Sequence, residues 1–164
     1  MKSLGVGWAL QDAGYFEGES QLKEKGAEAM KRLPRINSAL TIGVHVGAGT
    51  DAHRVASYNP FVALRWMLDG KSAGGVSLRG PDETPDRMQA LRMYTSGSAW
   101  FTHDDEQRGS LTVGRLADLA VLSADYLTVP VAKIADIRSI LTMVGGRVVY
   151  GEGEYAKLDD GAMR

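Results

Sequence analysis

The order of apolar and polar positions gives the chain two differently patterned parts. Leu4 to Leu10 is short, apolar and punctuated by glycine, which predicts a buried strand. A loop through Gly14 and Gly18 follows. The stretch 20–32 is rich in Lys, Glu and Ala and predicts an exposed helix. Pro34 stops it, since proline breaks a helix interior, and Ile36 to Leu40 predicts one further helical turn. Residues 43–51 predict a second buried strand. Asn59 before Pro60 is a helix start, because Asn caps free N–H groups and Pro suits the first helical position. Phe61, Leu64 and Leu68 then share one helical face. Residues 69–85 hold four glycines and two prolines and predict a long loop. Thr84-Pro85 repeats the cap-then-proline signal, with Met88, Leu91 and Tyr94 as the apolar face of the next helix. A second helix is predicted over 97–101.

The pattern changes after Gly109. Leu119–Leu122 and Ser139–Val144 read as strands, and Gly145-Gly146 as a two-residue hairpin turn that needs positive φ angles. Arg147–Tyr150 is the returning strand. The chain therefore reads as α/β: two β/α units and helices over 1–108, a small antiparallel β unit over 109–152, and a loose tail over 153–164. No repeat or low-complexity tract interrupts it.

In the second predicted strand, alternation puts Val44, Val46, Ala48 and Thr50 on one face and His45, Gly47, Gly49 and Asp51 on the other. The first face suits packing against helices. The second is nearly empty of side chains and ends in a carboxylate, where α/β barrels place catalytic groups. A helix-capping or solvated aspartate accounts for Asp51 at least as well on spacing alone. His45 lies six residues before Asp51, roughly 20 Å along an extended strand, so the two cannot share an ion. His53 is near enough to approach the same site, as a weak candidate for substrate contact or as an ordinary polar loop residue. His103 is remote. A catalytic zinc takes about three protein ligands, and no His-x-His or His-Glu-x-x-His pattern exists here. Gly5-Val6-Gly7 and Gly47-Ala48-Gly49 do not extend into a dinucleotide fingerprint. Trp66 and Trp100 read as core.

Composition narrows the function classes. Of 164 residues, 44% are hydrophobic and 24% charged, enough apolar surface to fold as a globular chain. The net charge of -1 offers no field for nucleic acid or an anionic membrane. With no cysteine there is neither a disulfide framework nor a thiolate metal site. No apolar run approaches a membrane span and no leader pattern opens the chain, so a cytoplasmic location is the default expectation.

Several segments, in this order, carry a family resemblance: Gly47-Ala48-Gly49-Thr50-Asp51-Ala52, Asn59-Pro60-Phe61, Ala90-Leu91-Arg92-Met93-Tyr94-Thr95, Arg108-Gly109-Ser110-Leu111, Val113-Gly114-Arg115-Leu116-Ala117-Asp118-Leu119-Ala120-Val121-Leu122 and Thr142-Met143-Val144-Gly145-Gly146-Arg147-Val148-Val149-Tyr150. Together they resemble the YtcJ-like branch of the amidohydrolase superfamily over residues 6–151. The resemblance implies a (β/α)8 TIM barrel with a composite β-sandwich domain. Residues 4–10 and 43–51 would then be the last two barrel strands of an incomplete barrel, and 109–150 the C-terminal share of the sandwich. It implies that Asp51 is both metal ligand and catalytic proton acceptor, and that the full-length enzymes use a divalent metal, zinc in the first place. Whether this chain holds one is left open.

A (β/α)8 barrel takes about 250 residues, so the remaining ligands are expected upstream of Met1. The expectation is the C-terminal fragment of a metal-dependent hydrolase of non-peptide C–N bonds, inactive alone. It would act on a small-molecule substrate in the full enzyme, partnered by the missing N-terminal part of the barrel or by further copies of itself. The alternatives are a non-catalytic oligomerising domain and a small-ligand binding module.

Overall fold

The computed structural model describes residues 1–52 and 56–158. Its parallel layer is two strands, β1 (Trp8–Gln11) and β2 (Val46–Gly49), paired with Trp8 opposite Val46 and Leu10 opposite Ala48. β1 starts later than the apolar run predicts. Residues Lys2–Leu4 form a 3-10 turn instead, closed by Gly5 at φ 64, a left-handed conformation that glycine adopts freely. Parallel strands need a crossover, and α1 (Gly14–Lys25), α2 (Ala27–Met30) and α3 (Ile36–Thr41) supply it. The predicted exposed helix therefore begins earlier than Ser20 and breaks at Gly26, whose φ of 82 ends α1.

Beyond β2, α4 (Pro60–Asp69) begins as predicted: Asn59 Oδ1 accepts from the Phe61 N–H at 2.9 Å, with Pro60 in the first turn. α5 (Arg87–Tyr94) corrects the sequence reading. Its cap is Asp86, not Thr84: Asp86 Oδ1 accepts from the Gln89 N–H at 2.7 Å, while Gln89 Oε1 accepts from the Asp86 N–H at 2.8 Å. This reciprocal capping box satisfies two free N–H groups and outcompetes the Thr-Pro signal. α6 (Ser96–Phe101) follows after Thr95.

The C-terminal part forms an antiparallel sheet, β3 (Leu119–Leu122), β4 (Ser139–Val144) and β5 (Arg147–Gly151), in that spatial order. Gly145 and Gly146, at φ 57 and 82, make the predicted hairpin turn between β4 and β5. A 3-10 helix at Val131–Asp136 packs on α4. One core joins these pieces: Leu10, Val46 and Ala48 from the strands, Leu64, Met67, Ala90 and Met93 from α4 and α5, and Tyr126, Ile134 and Ile137 from the C-terminal part. Arg87 reinforces the junction by donating to the carbonyls of Tyr126 and Val129. No described helix is long and apolar enough to cross a membrane.

Candidate functional site

The alternation predicted for β2 is present. Val44, Val46 and Ala48 are buried in the core, whereas His45 and Gly49 are half-buried and Asp51 is exposed; the pattern breaks at Gly47, which is buried, and at Thr50, which is half-buried. Asp51 stands just beyond the C-terminal end of β2 at φ 53, a left-handed conformation that a non-glycine side chain adopts at a local cost. The neighbouring hydroxyl of Thr50 accepts from the Ala52 N–H at 3.2 Å and braces the bend. No hydrogen bond or ion pair among the described residues engages the Asp51 carboxylate.

The face shared with Asp51 is only partly empty, which corrects the sequence reading. Next to Asp51 it is open among the described residues: a methyl group on Gly49 would meet none of their atoms within 4 Å. At the other end α6 covers it. The His45 ring stacks on Trp100 at 4.2 Å between centroids, and His45 Nε2 lies 3.2 Å from the Gly97 carbonyl oxygen. A methyl group on Gly47 would lie 2.7 Å from that same oxygen. His45 is thereby committed to packing. Ser98 also seals the outer edge of β2, its hydroxyl accepting from the Ala48 N–H at 3.2 Å and lying 2.7 Å from the Ala48 carbonyl oxygen.

His53 lies outside the described residues, and His103 is exposed. Among the described residues no group of three or more His, Asp or Glu could hold a metal ion. Asp51 is thus a single carboxylate, too few donors to bind and activate a metal by itself.

Three buried charged groups, Asp12, Arg79 and Glu83, escaped the sequence reading. Asp12 follows β1 on the Leu10 face and is fully buried, and among the described residues neither carboxyl oxygen has a partner in good hydrogen-bond geometry. Burial lifts its pKa to about 6, because removing water penalises the carboxylate. The Tyr94 hydroxyl is likewise unpartnered, and burial first and the Asp12 charge second push its pKa up. Arg79 is another, 6% exposed, and Glu83 the third, at 7%. The signal for Asp12 was present: it continues the parity Trp8, Leu10, Asp12 onto the buried face. Arg79 lay in a Gly- and Pro-rich stretch without periodicity, and nothing local marked it.

The sequence matches the amidohydrolase family over residues 1–150. It is similar to the N-substituted formamide deformylase of Arthrobacter pascens, 29% identical over 147 residues, covering 90% of this chain and 25% of that enzyme. It is also similar to the putative amidohydrolase YtcJ of Bacillus subtilis (strain 168), 26% identical over 128 residues, covering 76% of this chain and 24% of the relative. The chain thus spans about a quarter of the length of these curated relatives. Among solved structures, an uncharacterized metal-dependent hydrolase from Pyrococcus horikoshii OT3 shares the fold with a TM-score of 0.67 at 24% identity, over 80% of this chain and 27% of that one.

Proposed function

Since this chain belongs to the amidohydrolase family, we propose that it is the C-terminal portion of a metal-dependent hydrolase of non-peptide C–N bonds, with Asp51 as its contribution to the active site. In this reading β1 and β2 are the last two strands of a (β/α)8 barrel. Residues 1–108 then belong to the barrel, 109–152 to its composite sandwich, and 153–164 to a tail. The observation that carries the reading is the placement of Asp51. It is an exposed carboxylate without a partner among the described residues, at the C-terminal end of a parallel strand whose opposite face is core, the position that barrels of this kind reserve for chemistry. The name of the Arthrobacter relative, a deformylase of N-substituted formamides, supports the C–N bond class.

The donors described here do not fit a divalent metal by themselves. The zinc ligands other than Asp51 would come from the remaining barrel, supplied by an N-terminal portion. His53 keeps its place as a candidate for contact with a small-molecule substrate. The site of action would be the cytoplasm. Exposed apolar side chains, Leu111 at 81% and Val113 at 103% exposure, support association with that partner or with further copies of this chain.

Alone, the chain should not hydrolyse N-substituted formamides, N-acyl amino acids or ureas in the presence of zinc, as measured by amine release. Turnover by the isolated chain that disappears in Asp51→Ala would overturn the inactive-portion reading.

A further inference from the structure

Among the described residues only Asp51 and His103 adopt a positive φ without being glycine. In that left-handed conformation an L side chain crowds its own backbone. His103 has a local reason for it. It stands one residue past the cap of α6, and its N–H donates to the Trp100 carbonyl at 3.1 Å, a common way to finish a helix. Asp51 finishes no helix. It follows a strand that ends at Gly49, where extended backbone would continue at no cost. A residue strained in this way persists only where its surroundings over-determine it.

The surroundings that do so belong to the chain itself. The Ser98 hydroxyl accepts from the Ala48 N–H at 3.2 Å and lies 2.7 Å from the Ala48 carbonyl oxygen, which fixes β2 up to three residues before Asp51. Gly49 brings no side chain to crowd the bend. Thr50 then spans it, its Oγ1 accepting at 3.2 Å from the N–H of Ala52, two residues on. Of these contacts, only the Thr50 bond closes around Asp51. It engages backbone alone and leaves the Asp51 carboxylate without a partner among the described residues. It also accounts for a hydroxyl at the end of the otherwise apolar row Val44, Val46, Ala48.

We propose that Thr50 is a positioning residue for Asp51, its hydroxyl holding the aspartate in the left-handed conformation. The proposal rests on the reading of Asp51 as this chain's contribution to an active site. A carboxylate preset by its own chain loses little conformational freedom when it is used, which is the advantage of a preorganised site.

The test is NMR of the isotope-labelled full chain without added metal. A positive φ brings the amide and α protons of one residue close and gives a strong NOE between them, which extended backbone does not. Wild type should show this signal at Asp51. Thr50→Ser keeps the acceptor and should keep the signal. Thr50→Val keeps the shape without the acceptor and should lose about half of the signal or more. Thr50→Ala removes the hydroxyl with no added methyl group and should act as Thr50→Val does. Urea midpoints give a second readout. Glycine enters the left-handed region freely and alanine does not, so Asp51→Gly should unfold at a higher midpoint than Asp51→Ala. In the Thr50→Val background that gap should close or reverse. No strong NOE at Asp51 in wild type, or full retention of it in Thr50→Val and Thr50→Ala, would overturn the proposal. Loss of it in Thr50→Ser would do so too, since packing and not the hydroxyl would then hold the bend. Equal midpoints for Asp51→Gly and Asp51→Ala in the wild-type background would also count against it. A failed reading of Asp51 shows instead as amine release by the isolated chain, which none of these measurements records.

Discussion

Asp51 and Val46 occupy opposite faces of one strand, and that contrast gives the sharpest prediction at the residue scale. Val46 is 5% exposed and its methyl groups pack in the shared core, so Val46→Ala should cost about 1 kcal/mol or more in urea unfolding. Asp51 has no partner to lose among the described residues, so Asp51→Asn should stay within about ±0.5 kcal/mol. A large loss for Asp51→Asn beside a small one for Val46→Ala would make Asp51 structural. Asp12 carries a second prediction. Its folded pKa of about 6 lies above the ordinary 3.8, so the folded state holds the proton more tightly than the unfolded chain. Its favourable contribution is complete below about pH 4 and is lost as pH rises through about 6. Asp12→Asn removes that dependence. Its stability relative to wild type should therefore rise between about pH 4 and pH 7, by an amount on the order of 2 kcal/mol. Parallel denaturant melts across this range, showing a constant difference, would contradict the buried-carboxylate account. The alternation that placed Asp51 was legible from the sequence because strand parity is local. That Asp12 would lack a partner was not, since it depends on which distant side chains arrive above it.

At the scale of elements, α6 against β2 is the contact the sequence did not disclose. A stretch containing Gly97 and Ser98 reads as a weak helix, and only the fold explains both residues. A methyl group on Gly97 would lie 2.4 Å from the Val46 carbonyl oxygen, so glycine there lets the helix reach the strand edge. Gly97→Ala should lower the unfolding free energy by about 1–3 kcal/mol. Gly49→Ala, which faces open space, should change it by no more than about 0.5 kcal/mol. Equal effects at the two positions would place α6 elsewhere. By contrast, the Asn59-Pro60 start and the Gly145-Gly146 turn were readable, because each is decided within a few residues. The start of α5 was misread because Thr84-Pro85 and Asp86–Gln89 are overlapping local signals, and the one with two hydrogen bonds prevails.

Among the described residues the α/β core has an outer edge on β1 that no further strand pairs, and β3 is one edge of the antiparallel sheet. Such edges and the exposed Leu111 and Val113 favour association. Light scattering at micromolar concentration should show a dimer or larger species, reduced in a Leu111→Glu, Val113→Glu double variant; a monomeric wild type would remove the oligomer proposal. The order of strands and helices could be read from periodicity. The share of the family's catalytic site that this chain carries could not, because donors converge only through tertiary structure, and here the described residues bring together no set of three. Zinc binding to the purified chain, followed by titration calorimetry, therefore tests the central claim most directly. The account predicts no stoichiometric site tighter than about 10 μM. A one-to-one site of micromolar affinity that vanishes in Asp51→Ala would contradict it.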